Sequence, residues 1–109
     1  TGGWLNNIPC LLVVVGDWSN FADVADRNTP FIDSAYAVIQ LLLKLEKDSM
    51  GGCVINWKNN TENDRNIRGL LSLQDWEQVI SLVAIGEPLS REVPLSIKKD
   101  VKSVISWNT

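Results

Sequence analysis

Residues 49–60, SMGGCVINWKNN, set two adjacent glycines between the end of a leucine-rich run and a short apolar segment. Glycine serves where the chain needs a positive φ or where something must come close to the backbone. The pair Gly51-Gly52 therefore has two readings: a left-handed cap that ends the preceding helix, or a turn whose following residues also meet a ligand. Cys53-Val54-Ile55-Asn56 after it reads as a short strand.

Working outward, the run before the glycines is helical. From Ile32 to Asp48 the apolar positions Ile32, Ala35, Tyr36, Ile39, Leu42 and Leu43 follow the i, i+3, i+4, i+7 spacing, and Asp33 lies early enough to favour the positive end of the dipole. Val38, Leu41 and Leu45 widen the stripe until most of the circumference is apolar, which predicts a helix buried in the core or at a subunit interface. Residues 8–16, IPCLLVVVG, read as a strand buried on both faces and a candidate central strand. Between them, DWSNFADVADRNTPF (17–31) is turn-rich, with a helical turn expected around Phe21 to Ala25 and Pro30 preceding the long helix.

Downstream of the glycines, Thr61 is a plausible N-cap with Asp64 three residues on, opening a helix from about Glu62 to Leu71. Residues 78–86, QVISLVAIG, carry apolar residues on both alternating faces and end at Gly86-Glu87-Pro88. Strand is preferred over helix for this short run. An extended segment punctuated by Pro94 follows, then a C-terminal helix in SIKKDVKSVISW (96–107). The order is strand, helix, strand, helix, strand, tail, an α+β arrangement in one domain.

Composition bounds the function. A chain of 109 residues with 45% hydrophobic and 21% charged residues is an ordinary globular domain. Thirteen acidic against ten basic residues give a net charge of −3, with no basic block longer than Lys98-Lys99, so a nucleic-acid footprint is missing. No apolar run approaches the ~18 residues that span a bilayer, and no basic region precedes an apolar stretch at the N-terminus. Cys10 and Cys53 sit in apolar segments with no neighbouring cation, which predicts packed, reduced thiols and a cytoplasmic setting. With no histidine, Ser-His and Cys-His catalytic units are excluded, and no metal site of the usual type is expected.

In order and spacing, IPCLLVVV, IDSAYAVIQLLLKLEKD, SMGGCVIN, TENDRNIRGLLSL, VISLVAIGEP and SIKKDVKSVISW resemble the C-terminal half of the FMN-dependent nitroreductase family. The resemblance implies a nitroreductase-like α+β fold, a central sheet with a long buried helix, present here as a partial domain. The arginine- and serine-rich N-terminal motif with which that family grips its flavin has no counterpart in these residues. The implied activity is hydride transfer from NAD(P)H through FMN to a nitro-aromatic or quinone-type acceptor, with a homodimer or a companion chain carrying the N-terminal half.

By position, the resemblance places Gly51, Gly52, Cys53, Ile55 and Asn56 beside the flavin ring, with the amide of Asn56 or Ile55 as the donor toward its N5 atom. Lys98 and Lys99 match the basic residue that meets the FMN phosphate, with Arg91 a more distant candidate. A solvated helix face is the ordinary role for such lysines. Trp57 and Trp76 are candidates for an acceptor pocket or for the core. The alternative to an enzyme is a degenerate, non-enzymatic flavin-fold module with a binding or structural role.

Overall fold

A computed structural model describes residues 7–20, 23–58, 60–90 and 95–108. The elements are β1 (Cys10–Asp17), a 3₁₀ turn (Val24–Asn28), α1 (Thr29–Lys47), β2 (Gly51–Asn56), α2 (Thr61–Leu71), β3 (Glu77–Gly86) and a single turn α3 (Val101–Val104). The fold class is α+β as expected: one antiparallel sheet, order β1-β3-β2, with α1 set against β1 and β2. β3 is a strand, not a helix, and it is the central one. The expectation that β1 is central is corrected: β1 is an edge strand, with Leu11 and Leu12 exposed. β3 pairs with β1 from Glu77 to Ile85, with an irregularity at Ile80, and with β2 only from Ser81 to Gly86, so the last strand in sequence inserts between the first two.

The helix begins earlier than its apolar spacing indicated. Pro30 lies inside the first turn of α1 rather than ahead of the helix, where its missing N–H and fixed φ cost nothing. Asp33 is consequently one turn in, and the first turn holds no acidic residue. The 3₁₀ turn lies slightly beyond the expected helical turn, of which Phe21 and Ala22 fall outside the described residues.

The left-handed residue that ends α1 is Ser49, at φ 60°, and not a glycine. Met50 N–H bonds to the Leu45 carbonyl at 2.8 Å and Ser49 N–H to that of Glu46 at 3.1 Å, the paired bonds of a Schellman ending. Neither Gly51 nor Gly52 has positive φ; both belong to β2. The cap reading of the pair is therefore corrected, since the helix has closed before the glycines are reached.

Gly52 is needed for closeness instead. A Cβ there would stand 2.8 Å from Leu45 Cδ1 and 2.9 Å from Leu42 Cδ2. This fixes which sheet face α1 covers: the face of Gly52, Val54, Val83 and Leu12, which are paired across the rungs. Val83 is fully buried, and Val79 is 3% exposed.

Here the largest expectation fails. α1 is not buried all round: among its described residues only Ser34 is buried, while Tyr36 and Leu43 are 64% and 65% exposed. The sheet supplies one layer on one side, and among the described residues no second layer covers the outer stripe. The cysteines are exposed too, not packed. Cys10 pairs with Ile85 and Cys53 with Ala84, adjacent residues of β3, so the two thiols lie on opposite faces of the sheet.

The cap of α2 is Asn60, whose Oδ1 accepts from Asn63 N–H at 2.8 Å, rather than Thr61. Asp64 pairs instead with Arg68 at 2.8 Å. The long C-terminal helix is corrected to the single turn α3. Residues 95–100 are irregular, because the apolar side chains of this tail find no surface: Leu95 and Ile97 are 96% and 95% exposed. The Cα radius of gyration, 17.4 Å, exceeds the about 13 Å of a compact chain of this length. Among the described residues no helix is long and apolar enough to cross a membrane.

Gly52→Val is expected to lower stability by about 1–3 kcal/mol through overpacking against Leu42 and Leu45. Gly69→Ala, in α2 with open space around the new methyl, is expected to raise it by about 0.5–1 kcal/mol. Urea midpoints of the two variants measure both signs, and equal effects would contradict this packing.

Candidate functional site

β2 and β3 each present a glycine on the same rung, Gly51 opposite Gly86. The sheet end there has little side-chain cover. A Cβ on Gly51 would stand 3.2 Å from the Gly86 carbonyl oxygen and 3.5 Å from Pro88. Around this rung opens a groove of about 360 Å³, lined chiefly by Pro9, Gly51, Gly52, Cys53, Gly86 and Pro88. Its lining is mostly apolar with three glycines, and among the described residues Glu87 is the charged one and no basic residue lines it.

The structure brings together three of the seven residues singled out from sequence. Gly51, Gly52 and Cys53 line the groove. Ile55 and Asn56 lie further along β2, opposite Leu82 and Ser81, and do not line it. β2 is an edge strand, so its backbone N–H groups alternate between β3 and open space. One of the neighbouring amides of Ile55 and Asn56 therefore points away from the sheet. Lys98 and Lys99 are exposed in the irregular segment before α3, away from the groove lining, and neither forms an ion pair among the described residues. Arg91 lies outside the described residues.

Pro9, Ala84 and Gly86 are groove residues that the sequence reading did not assign. Gly86-Glu87-Pro88 was legible as a strand ending, but only the rung that sets Gly86 against Gly51 makes it part of a site. Trp57 and Trp76 line no part of the groove. Trp76 is 48% exposed, and Trp57 is half-buried with its indole N–H enclosed and without an acceptor among the described residues. Among the described residues no three His, Cys, Asp or Glu side chains are grouped to hold a metal ion.

A second concavity lies at the opposite end of β1. It is lined by Asp17, Trp18, Asp26, Thr29, Asp33 and Ser34, among others. Trp18 is fixed there: its Nε1–H donates to the Arg27 carbonyl at 3.0 Å, and its ring meets Phe31 edge-on at 5.2 Å. The Asp17 carboxylate accepts from Ser19 N–H at 2.7 Å, and the hydrogen bonds from Ser19, side chain first and then backbone, hold its carboxyl below the ordinary aspartate range.

No protein-family model and no curated protein matches the chain significantly. Solved structures do. A protein described as an NADH dehydrogenase/NAD(P)H nitroreductase from Parabacteroides distasonis superposes with a TM-score of 0.75 at 25% identity, over 96% of this chain and 58% of that one. An FMN-dependent nitroreductase from Clostridium difficile gives 0.74 at 19% identity, over 100% and 63%. A protein described as an NADH oxidase from Clostridium acetobutylicum gives 0.69 at 16%, over 96% and 61%. The fold is nitroreductase-like, and the chain spans less than two thirds of the length of each of these structures.

Because its folded pKa is depressed, the Asp17 contribution to stability is present above the ordinary value of about 3.9 and is lost as pH falls through the lower folded value. Carbon-13 NMR titration of the carboxyl is expected to place its midpoint below the ordinary aspartate value, and to move it upward in Ser19→Ala. A midpoint unchanged by that substitution would remove the Ser19 side chain from the account.

Proposed function

We propose that this nitroreductase-like chain forms part of an FMN-dependent oxidoreductase that uses NAD(P)H to reduce a nitro-aromatic or quinone-type acceptor. The observation that carries the reading is the glycine-bearing groove at the Gly51–Gly86 rung, within a fold shared along nearly the whole chain with structures described as nitroreductase and NADH oxidase. Bound FMN would supply the two-electron chemistry between the nicotinamide and the acceptor, which no side chain here can provide.

The residues fit such a group in part. Gly51, Gly52 and Cys53 offer a wall without bulky side chains, which admits a flat ring close to the backbone. The outward amide of the Ile55–Asn56 pair is a fixed donor that a ring nitrogen can accept from, with no reorganisation as charge develops there. The phosphate partner is the less complete element, because among the described residues no cation lines the groove. Lys98 and Lys99 are the free charges suited to it, and they ride on a segment that leaves its own sheet uncovered.

That segment and the bare stripe of α1 both call for a second surface. We place it in a homodimer or in a companion segment carrying the remainder of the fold, in a reducing compartment such as the cytoplasm. The second reading is a non-enzymatic module of the same fold, and it is favoured by Glu87 standing in the groove where an anion would have to approach.

Quenching of flavin fluorescence on titration tests the reading. FMN is expected to bind more tightly than riboflavin, and Lys98→Ala/Lys99→Ala is expected to weaken FMN by about tenfold, the scale of a charge-assisted hydrogen bond, while leaving riboflavin unchanged. Equal affinities for the two flavins would remove the lysines from the site. Absence of flavin binding by the assembled protein would leave the module reading.

A further inference from the structure

The groove at the Gly51–Gly86 rung carries a charge asymmetry that the flavin reading does not explain. We propose that Glu87 makes the groove selective by charge: it takes planar rings that are neutral or cationic and disfavours rings that bear a carboxylate. The functional meaning rests on the flavin reading, under which the electron acceptors narrow to neutral or cationic quinones and nitro-aromatics.

The floor of the groove accounts for the planar ring. Gly51 and Cys53 are two residues apart on β2 and lie opposite Gly86 and Ala84 on β3, so all four present the same face of the sheet. It is the face away from Gly52, whose side packs against Leu42 and Leu45 of α1. Two successive rungs with no side chain larger than a thiol leave a flat floor, under a space of about 360 Å³. Two prolines bound it: a Cβ on Gly86 would meet Pro9 at 3.1 Å, and one on Gly51 would meet Pro88 at 3.5 Å. A mostly apolar concavity with few polar groups is the ordinary setting for a small flat ligand.

Glu87 supplies the selectivity. It lies between Gly86, held on the rung by Gly51, and Pro88. A residue before proline is restricted to extended backbone, so its place beside the floor is set from both sides. Among the described residues Glu87 forms no ion pair, the described pairs being Lys44–Asp48 and Asp64–Arg68, and no basic residue lines the groove. A carboxylate after a strand is commonly just solvated. Here it is the one charge in an otherwise uncharged lining, so a ligand on the floor meets a single sign. At contact distance in water one unit charge changes an affinity by roughly fivefold. The flavin reading assigns the phosphate to Lys98 and Lys99, away from the groove lining, so the repulsion falls on the acceptor and spares the cofactor.

Three nitrobenzenes of similar size are the probes: 4-nitrobenzylamine, a cation at neutral pH, neutral 4-nitrobenzyl alcohol, and anionic 4-nitrobenzoate. Nitrogen-15 NMR of the 109-residue chain at low salt, with no flavin added, is expected to show saturable shifts at the Gly51 and Gly86 amides. The amine is expected to bind roughly fivefold more tightly than the alcohol, and the benzoate roughly fivefold more weakly. Glu87→Gln is expected to bring the three affinities together and Glu87→Lys to reverse their order. Salt at about 1 M, where the Debye length is about 3 Å, is expected to compress the differences. Glu87 is exposed, and far-ultraviolet dichroism checks that both variants stay folded. Absence of saturable shifts with all three probes, equal affinities in the native sequence, or an order unchanged in folded Glu87→Gln would each overturn the proposal. The FMN titration judges the flavin reading separately: flavin binding without the charge order removes only this inference, and the charge order without flavin binding removes only the flavin reading.

Discussion

β3 holds hydrogen bonds to a neighbour on each edge, and the rest of the chain is arranged by that fact. Its register with β2 sets Gly51 opposite Gly86, and its register with β1 sets Val83 beside Leu12 beneath α1. Shifting either pairing by one residue would turn every side chain of that strand to the other face. The rung of two glycines would vanish, and Gly52 would no longer face Leu42 and Leu45. The groove and the helix packing are therefore two consequences of one register.

That register makes only half a protein core. The sheet has α1 on one face, and α1 has the sheet on one side, so its outer stripe and the apolar residues of the tail stand in solvent. Contiguous exposed apolar surface is the kind that partners commonly cover. The neighbouring structures are longer than this chain, which covers 58–63% of them. The exposed stripe is thus consistent with a surface that the remaining part of such a fold, or a second copy, would cover. On the proposed reading function and stability are coupled, since a layer over this stripe would both close the core and supply the rest of a flavin environment.

The elements most legible in sequence were those whose pattern is local. The α1 periodicity, the β-branched run of β1, and the turn residues after β3 each announced their element, and their order carried the fold resemblance. What failed depended on partners that a pattern cannot reveal. Ile32, Tyr36 and Leu43 look like core by spacing, yet among the described residues no second layer meets them. Ser49 rather than Gly51 adopts the left-handed turn because the helix closes two residues earlier than glycine preference suggests. Lys98 and Lys99 look helical by composition, but the tail has no surface to fold against. At the site, Gly51, Gly52 and Cys53 were readable from the glycine signal, whereas Gly86 and Pro9 joined them only through strand register. The acidic concavity escaped altogether, because Asp17, Asp26 and Asp33 are unremarkable in isolation and only the approach of β1 to α1 brings them together.

Native mass spectrometry of the purified protein, with and without added FMN, tests the central claim that this fold is completed by a second surface and holds flavin at its glycine rung. The account predicts a multi-chain species that carries the mass of FMN. A bare 109-residue monomer that takes up no flavin would contradict it.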